Sequence, residues 1–169
     1  MNKYLLVISL LVTGWQGMGQ QYQQSAGVRL GSTSGLTFKK FLVEDEAVEF
    51  MASGRQNGIQ LTMTYLFHEP MEFSFNENFY AIYGAGGHVG FEERNNFNKV
   101  LIAVDPPDFE YEEKGYFTMG MDGVLGIEFR WLKIPATLGG DIKPYFNFVG
   151  LRHLDARFWD WSLSFKYIF

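Results

Sequence analysis

The stretch Phe117-Thr118-Met119-Gly120-Met121-Asp122-Gly123-Val124-Leu125-Gly126-Ile127-Glu128-Phe129-Arg130-Trp131 alternates with a period of two. Phe117, Met119, Met121, Leu125, Ile127, Phe129 and Trp131 share one parity. Thr118, Gly120, Asp122, Gly126, Glu128 and Arg130 share the other. Successive side chains of a strand point to opposite faces, so this segment has one greasy face and one of charge and glycine. Three other segments repeat the pattern. Ile59, Leu61, Met63, Tyr65 and Phe67 oppose Gln60, Thr62, Thr64 and His68. Leu138, Ile142, Phe146 and Phe148 oppose Asp141, Lys143, Tyr145 and Asn147, and Trp159, Trp161, Leu163, Phe165, Tyr167 and Phe169 oppose Asp160, Ser162, Ser164 and Lys166.

Extended along the chain, the alternation predicts eight strands: 21–31, 34–43, 47–54, 58–68, 78–91, 116–131, 136–149 and 157–169. Residues 47–54 would also suit a short helix. An even number of strands joined in series predicts an all-β fold, a closed eight-stranded antiparallel up-and-down barrel. The connection from Glu92 to Gly115 is the longest, and Leu132-Lys133-Ile134-Pro135 is tight. This matches long outer loops and short periplasmic turns, although Glu69 to Glu77 is longer than the pattern asks.

Glycine decides which face is inside. Gly84, Gly86 and Gly90 share the parity of His88, Gly120 and Gly126 that of Asp122, and Gly139 that of Asp141. Glycine weakens a strand facing water. An eight-stranded barrel is only just wide enough for its interior side chains, and small residues there make room for long ones. The polar parity is therefore expected inside and the aromatic parity outside, facing lipid. The interior then holds Arg29, Lys39, Arg130, Lys143 and Lys166 against Glu49, Asp122, Glu128, Asp141 and Asp160, with His88 as a hydrogen-bonded neighbour. Enclosed charges must pair or stay hydrated, so a balanced set predicts a closed plug rather than a wide pore.

Composition agrees. The chain carries 17 Phe, 9 Tyr and 4 Trp, many for a globular core but usual for the interfacial girdles of a membrane barrel. It has no cysteine, which excludes disulfides, thiolate metal sites and a Cys-linked lipid anchor. A formal net charge of −5 argues against nucleic acid as a partner. Asn2-Lys3, the apolar run Tyr4 to Val12 and the small residues Gly14, Gly17 and Gly19 read as a cleaved signal peptide over 1–19, leaving a barrel domain over 20–169. No later stretch is long and apolar enough for a spanning helix, so a membrane form must be a closed barrel.

The C-terminus, Trp161-Ser162-Leu163-Ser164-Phe165-Lys166-Tyr167-Ile168-Phe169, ends on an aromatic with aromatics at alternate positions before it. In this the chain resembles the small eight-stranded outer-membrane barrels of the OmpA, OmpX and Ail-like kind. The resemblance is one of pattern over about 20–169. It implies a transmembrane barrel in the outer membrane of a Gram-negative bacterium, with outer-membrane lipid and the barrel-assembly machinery as partners. Phe165, Tyr167 and Phe169 would then be the assembly signal. The glycine usual earlier in that strand is missing, since none follows Gly150.

The three histidines, His68, His88 and His153, fall on different elements without metal-ligand spacing, and no cofactor is expected. His153 and Asp155 could serve an outer-membrane enzyme acting on lipid A or phospholipid, but no nearby serine completes a nucleophilic set. The acidic, aromatic connection 92–115 contains the apolar run Val100-Leu101-Ile102-Ala103-Val104 and could take an extracellular ligand. The function expected is therefore non-enzymatic: a structural, adhesive or surface-interaction role through the outer loops. The alternatives are that enzyme, or a soluble lipocalin-like barrel binding a small apolar ligand.

Overall fold

The computed structural model describes residues 23–55, 57–73, 76–96, 112–149 and 153–169. The signal segment over 1–19 lies outside them. All regular structure is strand: β1 (Gln24–Gly31), β2 (Ser34–Val43), β3 (Glu46–Arg55), β4 (Gly58–Phe73), β5 (Asn76–Asn96), β6 (Glu112–Arg130), β7 (Ala136–Ile142), β8 (Tyr145–Val149), β9 (His153–Arg157) and β10 (Trp161–Ile168). Alternating apolar and polar residues suit a pleated, half-covered surface, and short polar connections reverse the chain between strands. At the β3–β4 turn Asn57 has φ 57°, a left-handed conformation that asparagine tolerates better than most side chains.

The ladder closes on itself. β1 to β6 pair antiparallel in sequence order, β6 pairs with both β7 and β8, and β10 pairs with both β7 and β1. The pairs Leu125↔Ile142 and Asp122↔Tyr145 keep one register along β6, so β7 and β8 are a single wall strand interrupted at Lys143-Pro144. Pro144 has no N–H to give the ladder, but its carbonyl still accepts from Gly123 N at 2.8 Å. β9 and β10 form the next wall strand. Ile142 faces Trp161 while Tyr145 faces Arg157, so Phe158-Trp159-Asp160 carries one residue more than the segment opposite. The extra residue leaves Phe158 and Trp159 both exposed before Asp160 turns inward, the effect of a bulge. The wall is thus a closed barrel of eight antiparallel strands.

Several boundaries differ from the sequence expectation. Residues 47–54 are strand. The β4–β5 hairpin continues through Glu69–Phe73 and from Asn76, because Phe79 and Tyr80 keep pairing with Met71 and Pro70. β5 and β6 likewise pair as far as Asn96↔Glu112, so much of the expected connection 92–115 is a two-stranded ribbon. The segment 97–111, with its apolar run, lies outside the described residues. The last wall strand begins at His153 and breaks at Phe158–Asp160, where 157–169 had been expected to run unbroken.

The two faces separate by chemistry. Leu125 is 64% exposed and Phe165 50%, and Phe146 also stands outside. Arg29, Lys39, Lys143 and Lys166 are buried within the barrel. Among the described residues the interior is therefore largely charged and polar, with Met51, Leu66, Ile82 and Tyr145 as its larger apolar or aromatic members.

Candidate functional site

Among the described residues, chemistry-bearing side chains from many strands gather in the lumen. Its glycines are shaped by what they face. His88, Gly120 and Asn147 lie in one row across β5, β6 and β8. A Cβ on Gly120 would come within 2.6 Å of His88 Cε1 and 2.0 Å of the Phe146 carbonyl. The imidazole thus occupies the space of the missing side chain. Gly126 stands likewise beside Asp141, whose Cβ would be 2.8 Å from an added methyl.

Toward the end of the barrel where β1 begins and the C-terminus lies is a compact cluster. Lys39 Nζ meets Glu128 Oε2 at 2.5 Å, and Lys166 Nζ meets Glu49 Oε1 at 2.7 Å. Lys166 also lies 3.8 Å from Glu128, which links the two pairs. Thr37 Oγ1 donates to Glu49 Oε1 at 2.5 Å. His68, packed on Phe41 with 4.6 Å between ring centroids, places Nε2 3.0 Å from Lys39 Nζ. An ammonium can only donate, so that nitrogen accepts. Arg130 sits near this end with its guanidinium 5.3 Å from the Tyr80 ring centroid, a cation–π distance.

The opposite half holds a longer chain of contacts. Arg29 Nη2 meets Asp141 Oδ1 at 2.6 Å, and Ser162 Oγ donates to Asp141 Oδ2 at 2.9 Å. Arg29 Nη1 donates to Thr33 Oγ1 at 2.6 Å, and that hydroxyl donates to Asp160 Oδ2 at 2.6 Å. Lys143 Nζ stands between Asp160 at 4.0 Å and Asp122 Oδ1 at 3.3 Å. Asp122 Oδ2 then meets His88 Nδ1 at 2.6 Å, and His88 Nε2 lies 3.1 Å from Asn147 Oδ1. Asn147 Nδ2 donates to Glu92 Oε1 at 3.1 Å.

All ten lumen residues named from the sequence, with Asp160, thus line the interior, and every one except Arg130 falls into these two groups. Sequence reading missed Thr33, Asn147, Ser162 and Glu92 as participants. Asn147 and Ser162 were on the polar parity but are uncharged. Thr33 sits in a turn, and Glu92 had been assigned to the loop. Both ring nitrogens of His88 are engaged, Nδ1 by Asp122 and Nε2 by Asn147. The arrangement is a set of buried, opposed charges that fills the barrel, held by direct hydrogen bonds at Arg29, Lys39 and His88 and by ion-pair proximity alone at Lys143.

The other candidates sit apart. Phe165, Tyr167 and Phe169 are all exposed on the outer wall, on the strand that closes the barrel against β1. Phe169 N donates to the Gln24 carbonyl at 3.0 Å, which ties the C-terminal residue to the first residue of β1. In β9, His153 faces Val149 and Asp155 faces Asn147 by backbone register; their side chains lie outside the described residues. Among the described residues no His, Cys, Asp and Glu group could hold a metal ion, and no helix is long and apolar enough to cross a membrane. Comparison with protein-family models, with curated proteins and with solved structures finds no match.

Proposed function

We propose that this chain is an outer-membrane barrel of a Gram-negative bacterium, closed to ion flow by its lumen charges, with a structural or adhesive role through its outer connections. The observation that carries the reading is an uncharged band around the outer wall. Lys40, Glu46 and Glu69 stand outward near the end with the C-terminus and Glu93 near the other, and the described outward positions between them are uncharged. On β4 this band runs from Ile59 to Phe67, about nine residues, close to the ~9–11 that a tilted strand needs to cross a bilayer. Exposed apolar area on this scale is unusual for a protein surrounded by water.

Aromatic pairs flank the band as interfacial girdles would. Phe67 stacks on Tyr83 at 5.5 Å and on the edge of Tyr65 at 5.3 Å, near the end with the C-terminus. Toward the other end Phe91 meets Phe117 at 5.5 Å. In this setting outer-membrane lipid is the partner of the wall, and Phe165, Tyr167 and Phe169 are the signal read by the barrel-assembly machinery. The β5–β6 ribbon, the described part of the connection 92–115, would stand at the outer rim, where an extracellular ligand would bind.

The test is fractionation of cells expressing the full chain. The protein should sediment with outer membranes, need detergent for release and migrate differently on gels before and after boiling. Recovery in the soluble fraction without detergent would refute the proposal. Lipid A profiles should also be the same with the wild-type chain and with His153→Ala; a profile altered by the wild type alone would make the protein an enzyme.

A further inference from the structure

The contacts around His88 have a fixed direction. As a carboxylate Glu92 only accepts, and the Asn147 atom 3.1 Å from its Oε1 is then the amide nitrogen. Asn147 therefore turns its carbonyl oxygen, also only an acceptor, toward His88 Nε2 at 3.1 Å. At the other side of the ring Nδ1 faces Asp122 Oδ2 at 2.6 Å, and the second oxygen of that carboxylate faces the Lys143 ammonium at 3.3 Å. Both ring nitrogens thus point at acceptors. A neutral imidazole has one donor and one lone pair, and only the imidazolium has two donors.

From this we infer that His88 stands in the closed barrel as an imidazolium, a proton-held latch that ties β5 to β8 across the gap above Gly120. The side chains of His88 and Asp122 are fully buried. The charged groups facing the latch are Asp122 on β6, Lys143 just beyond β7 and Glu92 on its own strand. Tyr145 adds a ring edge, 6.0 Å between centroids. Without its extra proton the ring turns a lone pair toward either Asp122 or Asn147, and the tie across Gly120 opens. His68 is the internal contrast, because the donor-only Lys39 ammonium faces its Nε2 and makes that nitrogen an acceptor.

The inference depends on the barrel interior and not on what surrounds the wall, so it can fail while the membrane reading stands. Its test is nitrogen NMR of the full chain, labelled at histidine and folded in detergent micelles at neutral pH. Two ring nitrogens of His88 should both appear protonated, while His68 shows one protonated and one bare nitrogen. The His88 signals are assigned by their loss in His88→Asn or, if that variant does not fold, by their persistence in His68→Asn and His153→Asn. A bare ring nitrogen on His88 would overturn the inference. Glu92→Gln gives the second arm. Glutamine can donate, Asn147 is then free to turn over, and a singly protonated His88 signal should appear. A ring that stays doubly protonated in that variant would show that the Glu92–Asn147 contact does not fix its state.

Discussion

Lys39 on β2 and Glu128 on β6 stand on opposite sides of the barrel, and their side chains meet at 2.5 Å across the lumen. Neighbouring strands hold each other through backbone ladders, but β2 and β6 share none. The ion pair is therefore a strut across the interior, and Lys166 braces it from β10 at 3.8 Å.

Breaking the strut on one side should be worse than removing it. Glu128→Leu leaves the buried Lys39 charge without its nearest partner, and a buried pair broken in this way loses about 3–5 kcal/mol. Lys39→Met with Glu128→Leu should recover most of that. Denaturant unfolding of the detergent-folded barrel checks both, and a double variant no better than the single one would refute the strut.

Space above Gly120 should matter more than glycine's place in a strand. Gly120→Ala drives a methyl into the His88 ring and the Phe146 carbonyl, and overpacking of this kind costs about 1–3 kcal/mol. Gly115→Ala is the control, because nothing lies within 4 Å of its added methyl. Equal unfolding midpoints for the two variants would contradict the packing argument.

The outer wall should reject charge only in lipid. Leu125→Arg places a cation at a position 64% exposed and distant from both rims. In a bilayer the expected loss is about 2–4 kcal/mol, the penalty for Arg near the midplane of a barrel wall. Folding yield and stability in vesicles measure it. If water surrounded the wall, the same variant would fold as well as the parent and be more soluble.

A filled lumen should not conduct. Planar bilayers holding the wild-type chain are expected to show no steady current, whereas Lys39→Ala with Lys166→Ala, which removes both cations of the inner cluster, should show openings. Large stable channels from the wild type would mean that the charges line a pore.

Much of this was legible from parity alone. Alternation in 117–131 and 161–169 fixed strand faces, since a slip of one residue would exchange outward-facing Phe129 with Glu128. Glycines on the charged parity pointed inward because Gly120 and Gly126 make room for His88 and Asp141. What parity could not supply is which charges meet. Arg29 reaches Asp141, Thr33 and the neighbourhood of Asp160 because the ladder staggers strands around the barrel, a relation no local pattern encodes. Strand length was hidden too. Glu69, Pro70 and Glu92 read as loop by composition, and cross-strand pairing overrides that preference at hairpin tips. The break at Phe158–Asp160 escaped notice because a bulge resets parity without any proline or glycine to mark it.

Everything functional rests on hydrocarbon meeting the aromatic side of the wall, and tryptophan quenching reads that contact directly. In Trp15→Phe the tryptophans left are Trp131, Trp159 and Trp161, of which Trp159 and Trp161 are 81% and 62% exposed on the outer wall. Folded into vesicles whose acyl chains carry bromine, this variant should lose most of its tryptophan emission while aqueous iodide has little effect. Emission untouched by brominated lipid and quenched by iodide would mean that water, not lipid, covers the barrel.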